Sequence, residues 1–139
     1  MMASANGGVT RRVLVITGDH DLPDASKWDG RYSADDLELH AEMRRALESL
    51  PGYKFEFLTR HADLIHSVAN HPPDLVLNLC DTGFGNLAAQ ELRVPALLEM
   101  VGIPYSGAGP VSMVLCYDKS IVRMVAEQCG VPTPHEYYV

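Results

Sequence analysis

The sequence predicts an α/β domain: a three-layer parallel sheet of about four strands with helices on both faces. Two observations carry this. Four short apolar runs, at 12–17, 53–58, 74–79 and 102–107, are separated by stretches of helical period. Turn-forming glycines and prolines punctuate the boundaries, so the order reads β-α-β-α-β-α-β-α, which right-handed crossovers turn into a parallel sheet.

The first run, RVLVIT (12–17), is rich in β-branched residues and ends at Gly18, as a buried strand does. YKFEFL (53–58) alternates Tyr53, Phe55 and Phe57 with Lys54 and Glu56, a strand with one wetter face. DLVLNL (74–79) is entered through Pro72–Pro73. GIPYSG (102–107) is the shortest run, and Pro104, lacking an N–H, belongs at an edge or a strand start. Between the first two runs, Leu39, Met43, Ala46, Leu47 and Leu50 recur at helical spacing. Ser33 is placed to cap that helix, with Asp36 and Glu38 near its positive end and Pro51–Gly52 as its stop. HADLIHSVAN is a short helix, and Val94, Leu97, Leu98 and Val101 form the stripe of the next, with Pro95 in its first turn and Gly102 as its stop. Leu115, Val122, Val125 and Cys129 keep helical spacing until GVPTP.

The chain of 139 residues is 47% hydrophobic and 21% charged, enough to bury one core without disulfides. A net charge of −7 argues against nucleic acid or an anionic membrane as partner. The start MMASANGGVTRR has no apolar core for a secretory signal and reads as a frayed tail, and no run reaches the roughly 18 residues of a membrane span. Cys80, Cys116 and Cys129 show neither C-x-x-C spacing nor an even count, so reduced, mostly buried thiols in a cytoplasmic protein are expected.

Parallel α/β sheets bind ligands beyond the carboxyl ends of their strands. Residues 18–31, 80–86 and 106–112 all follow strand ends. GDHDLPD (18–24) flanks His20 with Asp19 and Asp21, which suits a ligand contact or an ordinary polar loop; adjacent side chains diverge, so a metal is not expected. LCDTGFGN (79–86) has more polar and flexible positions than a turn needs. Gly83 and Gly85 permit positive φ or close approach, and Asp81, Thr82 and Asn86 offer hydrogen-bonding groups, so binding and structural readings stand side by side. Phe84 is placed to pack on a ligand or a neighbouring domain. YSGAGP (105–110) is a second small-residue loop, leading to Asp118–Lys119, which alone reads as a solvated helical pair. His61, His66 and His71 do not share a helical face and read as separate histidines, and no Cys/His pair is brought together by spacing.

Residues 91–134 resemble the D-alanine–D-alanine ligase family of ATP-grasp enzymes. The resemblance is carried by Leu97, Leu98, Glu99, Gly102, Ile103, Pro104, Tyr105, Ser106 and Gly107, then Asp118, Lys119, Gly130, Val131, Pro132 and Pro134. LVLNLCDTGFGN resembles the preceding strand and loop, whereas 12–73 match only by element order. Two family patterns are replaced: the glutamate-bearing loop after the first strand reads TGDHDLPDASKWDGRYSADDLE, and the histidine-bearing loop after the third reads CDTGFGNLAAQE. A substrate other than D-alanine is therefore expected.

The resemblance implies a Rossmann-like pre-ATP-grasp domain over 12–131 and the start of an ATP-grasp domain at 132–139; the composition of 1–11 implies a disordered tail. It implies a substrate-side role in a carboxylate–amine ligase that forms an amide through an acyl phosphate, using ATP and Mg2+ in the full-length enzyme, with neither held by this chain alone. Expected substrate contacts are Asp19, Asp21, Asp81, Thr82, Gly83, Ser106 and Gly107, with Lys119 toward ATP. Expected partners are an amino acid or other small carboxylate and the downstream ATP-grasp domain, with a homodimer left open. Whether the chain is a piece of a longer ligase or free-standing stays open. The alternatives are a non-catalytic ligand-binding or interaction module, with Phe84, Tyr137 and Tyr138 as docking candidates, and a thiol or metal enzyme using Cys80, Asp81 and His20.

Overall fold

A computed structural model describes residues 10–135, in two compact units, Met1–Gly107 and Ala108–Val139. Most of the expected tail, and Tyr137 and Tyr138 with it, lie outside the described residues.

The first unit is built on three parallel strands, β1 (Arg11–Ile16), β2 (Tyr53–Leu58) and β3 (Leu75–Asn78), in the order β2-β1-β3. Val13 lies beside Phe55 and Leu75, and Val15 beside Phe57 and Leu77, so these residues share one face of the sheet. Helix α1 (Ala34–Glu48) packs against β2 and lays Arg44 over the Phe57 ring on that face. The opposite face carries Leu14, Ile16, Leu58 and Val76. They form the core with Leu64 and Val68 of α2 (Leu64–Asn70), Val94 and Leu98 of α3 (Arg93–Met100), and Ile103. Helices thus cover both faces, as the α/β pattern predicts. Burying side chains of this kind stabilises by about 1.5–3 kcal/mol each.

Three expectations need correction. The run at 102–107 is not a full fourth strand: it touches the sheet through one parallel bridge, Val76 with Tyr105. Val76 N–H donates to the Pro104 carbonyl and Ser106 N–H to the Val76 carbonyl, but Pro104 has no N–H to extend the ladder. The apolar stripe of α1 is only partly turned inward: Leu39 is 63% and Leu50 45% exposed, while Met43 faces the end of the sheet together with Leu37, His40, Ala41 and Arg44. Of the three thiols only Cys80 is buried; Cys116 and Cys129 are exposed.

The second unit holds α4 (Pro110–Tyr117) and α5 (Lys119–Gln128). One helical pattern becomes two helices because Asp118, at φ −87° and ψ 95°, leaves helical geometry. Its side chain accepts the Ser120 and Ile121 N–H groups, capping the second helix. Among the described residues no helix is long and apolar enough to cross a membrane.

Candidate functional site

The strand order puts a topological switch beside β1: the first crossover runs from β1 to β2, and the next returns past β1 to β3. Loops after β1 and β3 therefore leave the sheet side by side, the usual place for a ligand crevice.

Asn86 joins these loops. Its Oδ1 accepts the Asp19 N–H at 2.9 Å and the Thr82 hydroxyl at 3.2 Å, and its Nδ2 donates to the carbonyls of Asp19 at 2.7 Å and Leu22 at 3.3 Å. To reach them Asn86 adopts φ 56°, a left-handed conformation that asparagine tolerates. Gly83 is required for the same turn: at φ 80° a Cβ would overlap the Leu87 carbonyl oxygen. At Gly18 a Cβ would overlap the Tyr32 hydroxyl, which hydrogen-bonds Thr82. Burial pushes the Tyr32 phenol up to about 12.

His61, after β2, completes the network. Its backbone N–H donates to Asp19 Oδ2 at 2.9 Å. Its Nδ1 accepts the Gly85 N–H at 2.7 Å, so Nε2 carries the proton and donates to the Thr17 carbonyl at 2.9 Å. Phe84 stacks on the imidazole with ring centroids 5.5 Å apart. Cys80 Sγ lies 3.5 Å from His61 Nε2, a pair that the fold rather than sequence spacing brings together: both follow strands that flank β1. Burial, then the Asp81 charge, pushes the thiol up to about 11, so it is a neutral packing group rather than a nucleophile at physiological pH. His20 contacts His40 at 2.7 Å, outside the Cys80 network.

Asp19 is buried, and its carboxylate accepts the Asp21 N–H at 3.1 Å as well as that of His61. Asp21 and Asp81 are exposed on their loops. Thr82 and Gly83 are buried beside Asn86. Ser106 Oγ accepts the Asn78 N–H at 3.0 Å, tying the segment after Tyr105 to the end of β3, and Gly107 is exposed at φ 104°. Lys119 is exposed at the first turn of α5 in the second unit.

His61, Tyr32 and two carboxylates carry no signal in the sequence pattern, while Asn86, expected only as one hydrogen-bonding group among several, is the centre of the rim. Burial and the charge of Asp81 push the Glu91 carboxyl up. Asp24 is 2% exposed; its Oδ1 accepts the Ser26 N–H and hydroxyl, while its buried Oδ2 meets no hydrogen-bond partner among the described residues. Both lie in the stretches GDHDLPD and CDTGFGNLAAQE. Among the described residues no group of three or more His, Cys, Asp or Glu side chains is placed to hold a metal ion.

No family model matches the chain. A D-alanine–D-alanine ligase of Azorhizobium caulinodans is 28% identical over 103 residues, 74% of this chain and 32% of the relative. One of Clostridium beijerinckii is 32% identical over 89 residues, 63% of this chain and 28% of the relative. The chain thus spans about a third or less of these relatives' length. Among solved structures, the D-alanine–D-alanine ligase of Bacillus anthracis complexed with ATP superposes with a TM-score of 0.61 at 24% identity, over 90% of this chain and 38% of that one. That likeness shows a shared Rossmann-like α/β fold. With the sequence matches beside it, the chain is similar to part of the D-alanine–D-alanine ligases.

Proposed function

We propose that residues 12–131 form the substrate-side domain of an ATP-dependent carboxylate–amine ligase, with 132–139 leading into an ATP-grasp domain. The observation that carries this reading is the stitched rim at the switch point, in a chain related to amide-forming ligases. ATP, when bound, supplies activation of a carboxylate, itself a poor electrophile, as an acyl phosphate that an amine then attacks. The described residues offer no metal cluster, so no step is assigned to magnesium among them.

The work of this chain is to bind and orient. Asp81 and Glu91 on one loop, and Asp21 and Asp24 on the other, concentrate negative charge at the rim, which suits the ammonium group of an amino acid. Ser106 and Gly107 offer hydroxyl and backbone groups to its carboxyl end, while Thr82 and Gly83, buried beside Asn86, shape the loop that would meet it. Asp19, whose oxygens accept two backbone N–H groups, serves by fixing the loop. Lys119 is assigned to the nucleotide phosphates.

The test is ATP-dependent phosphate release by the protein as its gene encodes it, across a panel of amino acids. Release that depends on a particular amino acid is expected. Asp81→Asn and Glu91→Gln should each raise the KM for it about tenfold, with a smaller effect on kcat. No amino-acid-dependent release overturns the ligase reading. Binding of an amino acid without nucleotide turnover would favour the non-catalytic module instead.

A further inference from the structure

A cavity of about 340 Å³ lies where β1 and β2 end, on the β2 side of the loop that follows β1. Leu37, His40, Ala41 and Arg44 line it at i, i+3, i+4 and i+7, so one face of α1 forms its wall. A helix face turned to a sheet is ordinarily apolar. This one carries an imidazole and a guanidinium. The remaining polar lining is Thr17, Thr59 and His20, while Met43 and Phe57 add apolar surface and no carboxylate lines the space. Every polar side chain on the lining can donate a hydrogen bond.

These donors are pre-positioned. His20 Nε2 and His40 Nδ1 meet at 2.7 Å, and the Tyr32 ring packs on both imidazoles, with centroids 4.7 and 5.7 Å away. The Arg44 guanidinium stands 4.2 Å from the Phe57 ring centroid. Its ion pair with Glu48 is long, 3.9 Å through Nε, and half exposed, which leaves most of its donors for another acceptor.

We propose that this cavity binds a small monocarboxylate with a short aliphatic body, the carboxylate held by Arg44 and the His20–His40 pair and the body by Leu37, Ala41, Met43 and Phe57. The volume is at the lower end of small-molecule sites, and an apolar wall with a few convergent donors is their usual composition. Nothing in this proposal depends on the ligase reading.

The histidine pair makes binding pH-dependent. One proton satisfies the contact between the rings; a bound anion favours a second. Burial, then the charge of His40, lowers the His20 pKa, while Asp19, Asp21 and Asp36 act to raise it. Two of those carboxylates are engaged elsewhere: Asp19 by backbone N–H groups and Asp36 by Lys27 at 2.9 Å and Ser33. On α1, Arg44 and Glu48 complete the nearby charges, and Tyr32 stays neutral. The empty cavity therefore resists the second proton and an anion pulls it in, so affinity rises as pH falls through the imidazole range.

Isobutyrate titrated into the full chain at pH 6.0 and 7.5, followed by the histidine ring and backbone NMR signals, tests this. The His20 and His40 ring signals should move and saturate, with affinity about tenfold higher at the lower pH. Arg44→Gln should weaken binding about tenfold while leaving other resonances in place; Arg44→Lys, which keeps the charge, should restore part of it. Equal binding of isobutyramide overturns the proposal, because the amide has the same body without the charge. Inorganic phosphate binding as tightly as isobutyrate overturns the aliphatic part. Shifts away from residues 17–59, or unchanged affinity in Arg44→Gln, overturn the site.

Discussion

Asn86 holds four groups from two loops with a single amide, so its loss should be felt well beyond its own turn. Asn86→Ala leaves the Asp19 N–H and carbonyl without their partner in a buried setting. Each such orphan costs about 1–3 kcal/mol, and urea denaturation should show a loss of about 2–4 kcal/mol. Gly83→Ala forces a side chain into positive φ against a backbone carbonyl, which cannot rotate away, and should cost about 3 kcal/mol by the same measurement. Cys80 should resist iodoacetamide at pH 8 in the folded chain, while Cys116 and Cys129 react; mass spectrometry of peptides reads this directly. The raised thiol also sets a sign. The unfolded chain ionises Cys80 first, so its contribution to stability is complete below the ordinary thiol value and declines as pH rises toward about 11. A Cys80→Ala variant should show a flatter alkaline limb.

Among the elements, the start of α1 was fully legible. Ser33 and Asp36 form a capping box: Ser33 Oγ accepts the Asp36 N–H at 3.1 Å, and Asp36 Oδ2 accepts the Ser33 N–H at 2.8 Å. Residues three apart in sequence suffice to specify it. Ser33→Ala should cost about 1 kcal/mol in urea denaturation at pH 7. The Ser33 backbone N–H, with Lys27 and the Ser33 hydroxyl, holds the Asp36 carboxyl far below the usual carboxylate range. Its stabilisation is therefore present above the unfolded carboxyl value and fades as pH falls through the folded one; Asp36→Asn should remove that part of the acid limb. The orientation of the same helix was not legible. Periodicity finds a stripe but not the surface it meets: α1 turns Arg44 onto the Phe57 ring and His40 onto His20, beside a cavity. The segment at 102–107 failed for a related reason. Composition registers an extended run; only the partner strand reveals that Pro104 interrupts the pairing.

At the scale of the molecule, the alternation of strands and helices told which loops share the rim, because parallel topology sends every carboxyl end the same way. The bonds within the rim were hidden: Asn86 meets Asp19, and His61 meets Thr17, across long stretches of chain with no local signature. The division after Gly107 has its own expected outcome. Val111 is 72% exposed just beyond Gly109, so limited thermolysin digestion should cut first within 108–117 and release a fragment that retains the far-UV spectrum of the sheet unit. The place of β1 between its two partners bears on how the protein folds. Val13 must find Phe55 and Leu75, about 40 and 60 residues downstream, before the middle of the sheet exists. Ring closure over such distances is slow, so helix formation should precede sheet assembly in refolding. A nascent chain emerging from the ribosome carries β1 first and must wait for β3 to complete it.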